Sequence, residues 1–299
     1  MKKYIAVLII HFLFSHLQAQ IASQVWHKDS VKIKRIKTVL YNAEEKNGQF
    51  LKTTVKQAQQ ISYDSLGRMQ QKAEEIGANG TISTFKYNEL GLLTQEIVKL
   101  SASGKAYKTT SKLYDGRKNL IADDLSIENQ LFAHVEYNYD TLNRKTEYIY
   151  YDKMGKRDTK ISYVYNSFGK ISQYWDYDSD GKVRRRIVFL YDNQGNLTEE
   201  QAFWNNDKLY AQTKYQNNRI VEQLVFTSNL SENNRITNRY DAEGNLVESV
   251  YYDPKCATST VILKYSFKKE YDKNRNWVKE TAWKNGKIHT ITERFIEYF

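Results

Sequence analysis

The chain is short of the residues that staple, bend or hydrolyse. It has one cysteine, Cys256, so no intramolecular disulfide can form and a cysteine-rich zinc site is excluded. Its one proline, Pro254, sits in the turn-like "YDPKC", where it costs no ladder hydrogen bond. Beyond residue 19 the histidines are His27, His134 and His289, each in a different part of the chain. No G-x-S-x-G, H-E-x-x-H or phosphate-cradling glycine loop is present. Cys256 has no readable base partner nearby. No apolar run after the N-terminus approaches the roughly 20 residues that span a bilayer as a helix. No stretch of helix length shows a 3.6-residue apolar period. Together these absences exclude a disulfide scaffold and a helical domain. They predict a non-enzymatic protein with no cofactor and no transmembrane helix in the mature chain.

The N-terminus, "MKKYIAVLIIHFLFSHLQAQ", runs from lysines through apolar residues to the small Ala19. That order predicts a secretory signal peptide over residues 1–19 and an exported protein, periplasmic, outer-surface or secreted. No cysteine follows the apolar run, so a lipid anchor at the usual position is not expected. The formal charge is +10, and it stays clearly positive without Lys2 and Lys3. On an exported protein this balance favours anionic glycans or head groups and is no signature of nucleic-acid binding.

The chain is rich in one repeated turn. "YDSLGRM" from Tyr63, "YNELGLL" from Tyr87, "YNSFGKI" from Tyr165, "YDNQGNL" from Tyr191 and "YDAEGNL" from Tyr240 are near-copies. Further copies open at Tyr114, Tyr139, Tyr215 and Tyr271, and Tyr41 opens a degenerate one. From Tyr63 to Tyr271 their spacing of 24–31 residues signals a repeat architecture. Gly67, Gly91, Gly169, Gly195 and Gly244 each stand four residues after a repeat tyrosine. Midway turns carry Gly80, Gly104, Gly155, Gly181 and Gly286. Hairpin turns need φ > 0, which glycine adopts without a Cβ clash, and asparagine is the next most tolerant residue. Asn143, Asn218 and Asn274 stand where glycine is missing.

Between turns the pattern alternates with period two. Ile161, Tyr163 and Tyr165 share one face, as do Ile187, Phe189 and Tyr191. The expected fold is all-β, an antiparallel β-meander of tandem hairpin repeats about 25 residues long, with roughly 20 short strands. A coiled sheet or solenoid is expected ahead of a β-propeller. Each hairpin alone is marginal in water and needs its neighbour's burial. Residues 20–50 are expected to form N-terminal cap strands, with the charged run "VKIKRIKTVLY" blunting an exposed edge. Residues 51–299 would hold the tandem repeats.

The phrase Y-D-x-x-G-[RKN]-[LIM] resembles the YD repeats of the Rhs family over nearly the whole mature chain. "YDGRKNL" reads as shortened, "YDTLNRK" and "YDKNRNW" lack the glycine, and "YQNNRIV" lacks both aspartate and glycine. Midway turns such as "WKNGKIHT" are similar to the MORN-variant repeats of small secreted bacterial proteins. In Rhs proteins such repeats form a coiled β-sheet shell around a C-terminal toxin. Here repeats run to within a few residues of Phe299, and no aspartate- and glycine-rich core segment is found. The resemblance therefore implies the shell-forming repeat and not the toxin.

Candidate sites are few. Asp176, Asp178 and Asp180 before Gly181 resemble the start of a calcium loop. Ile187 stands where a closing glutamate belongs, and Arg184, Arg185 and Arg186 would oppose a cation. In a strand, Arg184 and Arg186 face one way and Arg185 the other. Asp64, Asp152, Asp192, Asp241 and Asp272 read as turn caps rather than catalytic acids. His134 reads as a strand residue. The aromatic residues of midway strands, Tyr174, Trp175, Tyr177, Trp204, Tyr252 and Trp283, are the candidate binding residues, with Phe203 and Tyr251 beside them. Stacking on sugar rings would suit them, and packing along one sheet face is the plainer use.

The expected function is an exported binding or scaffold module at the bacterial cell envelope, with a glycan or protein partner. The rivals are a component of a toxin–immunity system related to YD-repeat proteins, and a hydrolase whose site assembles from distant turns.

Overall fold

The computed structural model describes residues 32–77, 79–226, 232–253 and 260–299. The expected signal peptide over residues 1–19, His27, Pro254 and Cys256 lie outside the described residues. Among the described residues every regular element is a β-strand. The first two are the longest, β1 (Ile33–Lys46) and β2 (Gln49–Tyr63). Next come β3 (Met69–Ile76), β4 (Asn79–Tyr87), β5 (Leu93–Leu100), β6 (Ala106–Tyr114), β7 (Leu120–Ile127) and β8 (Gln130–Tyr139). They continue with β9 (Lys145–Asp152), β10 (Arg157–Tyr165), β11 (Ile171–Tyr177), β12 (Val183–Tyr191), β13 (Leu197–Trp204) and β14 (Leu209–Gln216). The remainder are β15 (Arg219–Phe226), β16 (Glu232–Tyr240), β17 (Leu246–Tyr252), β18 (Val261–Tyr271), β19 (Trp277–Lys284) and β20 (Lys287–Tyr298).

Each strand pairs antiparallel with the next, and β1 pairs with both β2 and β20. The sheet is therefore a closed barrel. The expected solenoid or open coiled sheet is corrected by this last pairing, which runs from Ile33↔Tyr298 to Asn42↔Thr290. Closure satisfies the backbone groups that an open meander would leave at both edges. The charged run of β1 lies between two strands rather than along an exposed edge, and its Lys34 and Arg35 meet Glu297. At about 4.8 Å per strand, a circular section of 20 strands is at least ~30 Å across. Strands that are not sheet neighbours keep their Cα atoms more than 8 Å apart, except β2 and β20 flanking β1.

The repeated tyrosine has a specific task. The hydroxyls of Tyr87, Tyr114, Tyr139, Tyr165 and Tyr191 donate to the backbone carbonyls of Met69, Leu93, Leu120, Lys145 and Ile171, at 2.6–2.9 Å. Tyr240 does the same to Ile220. Each acceptor is the first or, at Ile220, the second residue of the strand that follows the preceding repeat turn, so the tyrosine stitches one copy to the next. Phenylalanine could bury the same ring without making this bond. The aspartates cap turns: Asp192 Oδ1 accepts from the backbone N–H of Gln194 and Asn196. Asn88 and Asn166 cap their turns identically.

Two turn readings change. "YDGRKNL" is not shortened: Lys118 takes the left-handed position four after Tyr114, at φ 68°, and the strand resumes at Leu120 as elsewhere. In "YDKNRNW" Arg275, not Asn274, has positive φ, 62°. The shorter copy is "YQNNRIV", whose Asn217 and Asn218 both have positive φ, as a two-residue hairpin loop demands.

Register sorts the side chains into two faces. One face carries Ala133, Ile187 and Ala202, at 2–6% exposure. The other carries Leu113, Val164 and Leu190, each just before a repeat tyrosine, at 41–59%. Side chains converge on the concave side of a closed wall and splay on the convex side, so the more widely covered face is the interior; beside the closing seam the exterior is covered too, with Val39 at 5% and Ile291 at 3%.

Candidate functional site

The interior wall is tyrosine-rich and carries its charges in small clusters. The largest spans β11 to β15. Asp176 and Arg185 are directly paired in register, as are Tyr174 and Ile187. Arg185 Nε donates to Asp176 Oδ2 at 2.8 Å, and Arg184 Nη2 donates to Oδ1 at 2.9 Å. A carboxylate this buried needs such partners to offset its lost hydration. The Tyr174 ring meets Tyr163 edge-on at 6.4 Å and Phe189 at 6.1 Å. Burial pushes the Tyr174 and Tyr210 hydroxyls well above the ordinary tyrosine range, with Arg185 opposing the shift in both. Burial also raises Tyr215, whose hydroxyl donates to Glu200 Oε2 at 3.2 Å. Beside them lies a cavity of about 120 Å³, lined in part by Arg185, Ile187, Ala202, Gln223 and Ile236.

A second interior cluster joins β6 to β9. Asp123 accepts from Lys112 Nζ at 2.8 Å and from the Tyr137 hydroxyl at 2.7 Å, while Lys145 Nζ stands 4.4 Å from the Tyr137 ring centroid. A third, near the barrel's closing seam, gathers Lys269, Trp277, Glu280 and Arg294. The hydroxyls of Tyr174, Tyr210 and Tyr215, raised by burial, stay protonated and can donate or accept. Asp123 and Asp176 are held in ion pairs, so neither is poised as a general base. The arrangement suits binding.

The predicted aromatic residues do not form one surface. Tyr174 faces the interior and its neighbour Trp175 the exterior, where Arg186 Cζ stands 5.3 Å from its ring. Tyr177 and Tyr252 are also exterior, each facing a cation: Lys160 at 5.7 Å and Arg235 at 5.4 Å. Trp283 packs edge-on against Phe50 at 6.1 Å. Trp204 ends β13, 45% exposed, and stacks on Tyr210 at 4.2 Å.

The three candidate calcium ligands are also separated. Asp176 is committed to its arginines, Asp178 Oδ1 caps its turn by accepting from Asp180 N and Lys182 N, and Asp180 is exposed. Among the described residues no group of three or more histidines, cysteines or carboxylates could hold a metal. His134 is an exterior strand residue between Asp124 and Glu136.

Sequence reasoning missed Lys269, Trp277, Glu280 and Arg294. The signal was available at Arg294. The residue four before each repeat tyrosine from Tyr63 to Tyr271 is Gln59, Ser83, Thr110, Val135, Ile161, Ile187, Ala211, Ile236 and Phe267, and before the closing Tyr298 it is arginine.

No known protein family and no curated protein matches the sequence. Among solved structures, a porin-like protein from Bacteroides uniformis is similar at 14% identity, covering 89% of this chain and 96% of that one, with a TM-score of 0.37. A second porin-like protein, from Bacteroides vulgatus, covers 90% of this chain and 99% of that one at 11% identity and a TM-score of 0.25. The TcdB2-TccC3 toxin complex with Cdc42 covers 89% of this chain at 12% identity and a TM-score of 0.38, and the chain spans only 17% of that toxin's length.

Proposed function

We propose that the chain is an exported, non-enzymatic binding module of the bacterial cell envelope, and that a glycan partner is held against the interior wall. The carrying observation is that wall: tyrosine rings interleaved with fixed ion pairs on the inner face of a closed 20-stranded sheet. Rings offer faces for sugar stacking, and their hydroxyls offer hydrogen bonds. The exterior supports a barrel surrounded by water. Its mid-strand positions carry ion pairs such as Lys160–Glu147 at 2.6 Å and Arg235–Glu222 at 2.7 Å, where a bilayer-spanning barrel presents an apolar band.

The test is a titration of the mature protein with solubilised envelope oligosaccharides, followed by aromatic fluorescence and calorimetry. Saturable binding that weakens about tenfold in Tyr174→Ala or Tyr210→Ala is the expected result. Binding unaffected by either variant, or no binding to any fraction, overturns the reading.

A further inference from the structure

We infer that the interior wall at the closing seam holds an oxyanion site, built from Arg294 on β20 and Lys269 on β18 around Trp277 on β19. Its ligand class is a carboxylate-bearing sugar, which deepens the glycan reading above and rests on it for the sugar part.

Arg294 occupies a position that the copies from Tyr87 to Tyr271 fill with small, aliphatic or aromatic side chains, whereas the first copies carry Gln59 and Lys37 there. Its guanidinium carbon lies 4.0 Å from the Trp277 ring centroid. Its Nε is buried and has no hydrogen-bond partner. A buried donor left unpaired is unusual in a folded protein, and a guanidinium is suited to a planar carboxylate. Arg185 is the contrast on the same interior face, since its Nε is bonded to Asp176.

Trp277 is also a departure from the repeat. The positions six after the earlier tyrosines hold Met69, Leu93, Leu120, Lys145, Ile171, Leu197 and Leu246. Lys269 Nζ stands 5.7 Å from the same indole, so two cations share one ring. The acid facing them is Glu280, whose Oε2 is 3.7 Å from Lys269 Nζ. Tyr63 on β2 is the other titratable neighbour of Arg294, and burial raises its hydroxyl. Asp241 also acts on Lys269, so the two cations meet two carboxylates, and of the two cations Arg294 is the one with an unpaired buried donor. Glu280 keeps 28% of its side chain open, so water in the barrel reaches this part of the wall. An incoming carboxylate would pair with the Arg294 guanidinium, its side chain turning to present the buried N–H, and lie beside the indole on which that guanidinium stacks.

The experiment titrates the mature chain with sodium glucuronate, glucose and inorganic phosphate, reading tryptophan emission and calorimetric heat. Glucuronate is expected to bind saturably and raise the melting temperature by mass action, with glucose at least about tenfold weaker. Arg294→Gln should lose about tenfold or more, Arg294→Lys should keep part of the affinity, and Glu280→Gln should tighten binding. Circular dichroism and melting confirm that each variant is folded. Equal glucuronate affinity in folded Arg294→Gln and wild type overturns the site. So does the absence of binding by wild type. Phosphate binding without glucuronate overturns the sugar assignment. Glucuronate binding that depends on Arg294, with no envelope oligosaccharide bound, keeps this site and removes the module reading of the preceding section.

Discussion

Ile187 and Leu190 lie three residues apart on β12 and point to opposite sides of the wall, and their exposures are 3% and 41%. Both are aliphatic and of similar size. What differs is the surroundings: Ile187 faces Ala202 and Tyr174 across the ladder on the concave side, while Leu190 pairs with Glu199 on the convex side. A closed single-layer sheet has no second layer to cover it, so burial comes from curvature and from neighbours on the same face. That is why the interior uses small residues between large rings. The exterior relies on ion pairs that exposed positions make worth little, about 0–1 kcal/mol each.

The sharpest way to break this contrast is to truncate both residues. Ile187→Ala should destabilise by about 2–4 kcal/mol, because the lost methyl groups leave a void beside an existing cavity. Leu190→Ala should change stability by about 0.5 kcal/mol or less. Urea denaturation midpoints measure both, and equal shifts would mean that the wall has no sheltered side. Next in size is the tyrosine stitch. Tyr165→Phe removes a hydroxyl 2.6 Å from the Lys145 carbonyl and should cost about 1 kcal/mol. Tyr177→Phe, on the exterior with only a 3.4 Å contact from Ser162, should leave the midpoint in place.

A third prediction concerns the turns that join the two faces. Side-chain hydrogen bonds from Asn119 and Asn196 hold Asp115 and Asp192 below the ordinary carboxylate range, and the backbone N–H of Arg144 does so for Asp140. Because their folded values are depressed, their contribution is present above the unfolded value of 3.8 and is lost as pH falls through the folded ones. Asn88 and Asn166 cap equivalent turns without titrating. The triple variant Asp115→Asn, Asp140→Asn, Asp192→Asn should therefore flatten the acid limb of melting temperature against pH. An unchanged limb would show that acid sensitivity resides elsewhere.

Much of this was legible in the chain because it is local. Period-two alternation and the tyrosine–aspartate–glycine turn place strands and loops within a few residues. The same chemistry explains why Asp192 caps and Gly195 bends. Closure was not legible, because it depends on β1 meeting β20 across the whole chain and on twist summed over every strand. Nor does alternation say which face is concave. One error was avoidable: Tyr174 and Trp175 are adjacent in a strand and cannot share a surface. The Lys118 turn was misread because glycine was taken as the marker of positive φ, and there it stands two places early, at Gly116. Arg294 was overlooked because it shows only when the repeats are aligned on their tyrosines.

The smallest prediction tests the exterior by itself. His134 Nδ1 lies 2.6 Å from Asp124 Oδ1 and Nε2 lies 3.5 Å from Glu136 Oε1. The Asp124 hydrogen bond raises the imidazole above its ordinary 6.5, against partial burial and with help from Glu136. A raised folded value means that the charged ring stabilises the fold fully below 6.5 and ceases to do so as pH climbs above 6.5 through the higher folded value. His134→Gln should remove this step and cost about 0.5 kcal/mol at pH 6 and nothing measurable at pH 9, read from denaturation midpoints at the two pH values. A cost of several kcal/mol would contradict the placement, because only a pair shielded from water is worth that much. His134 would then belong to the sheltered side, and the division of the wall into two faces would fail at β8.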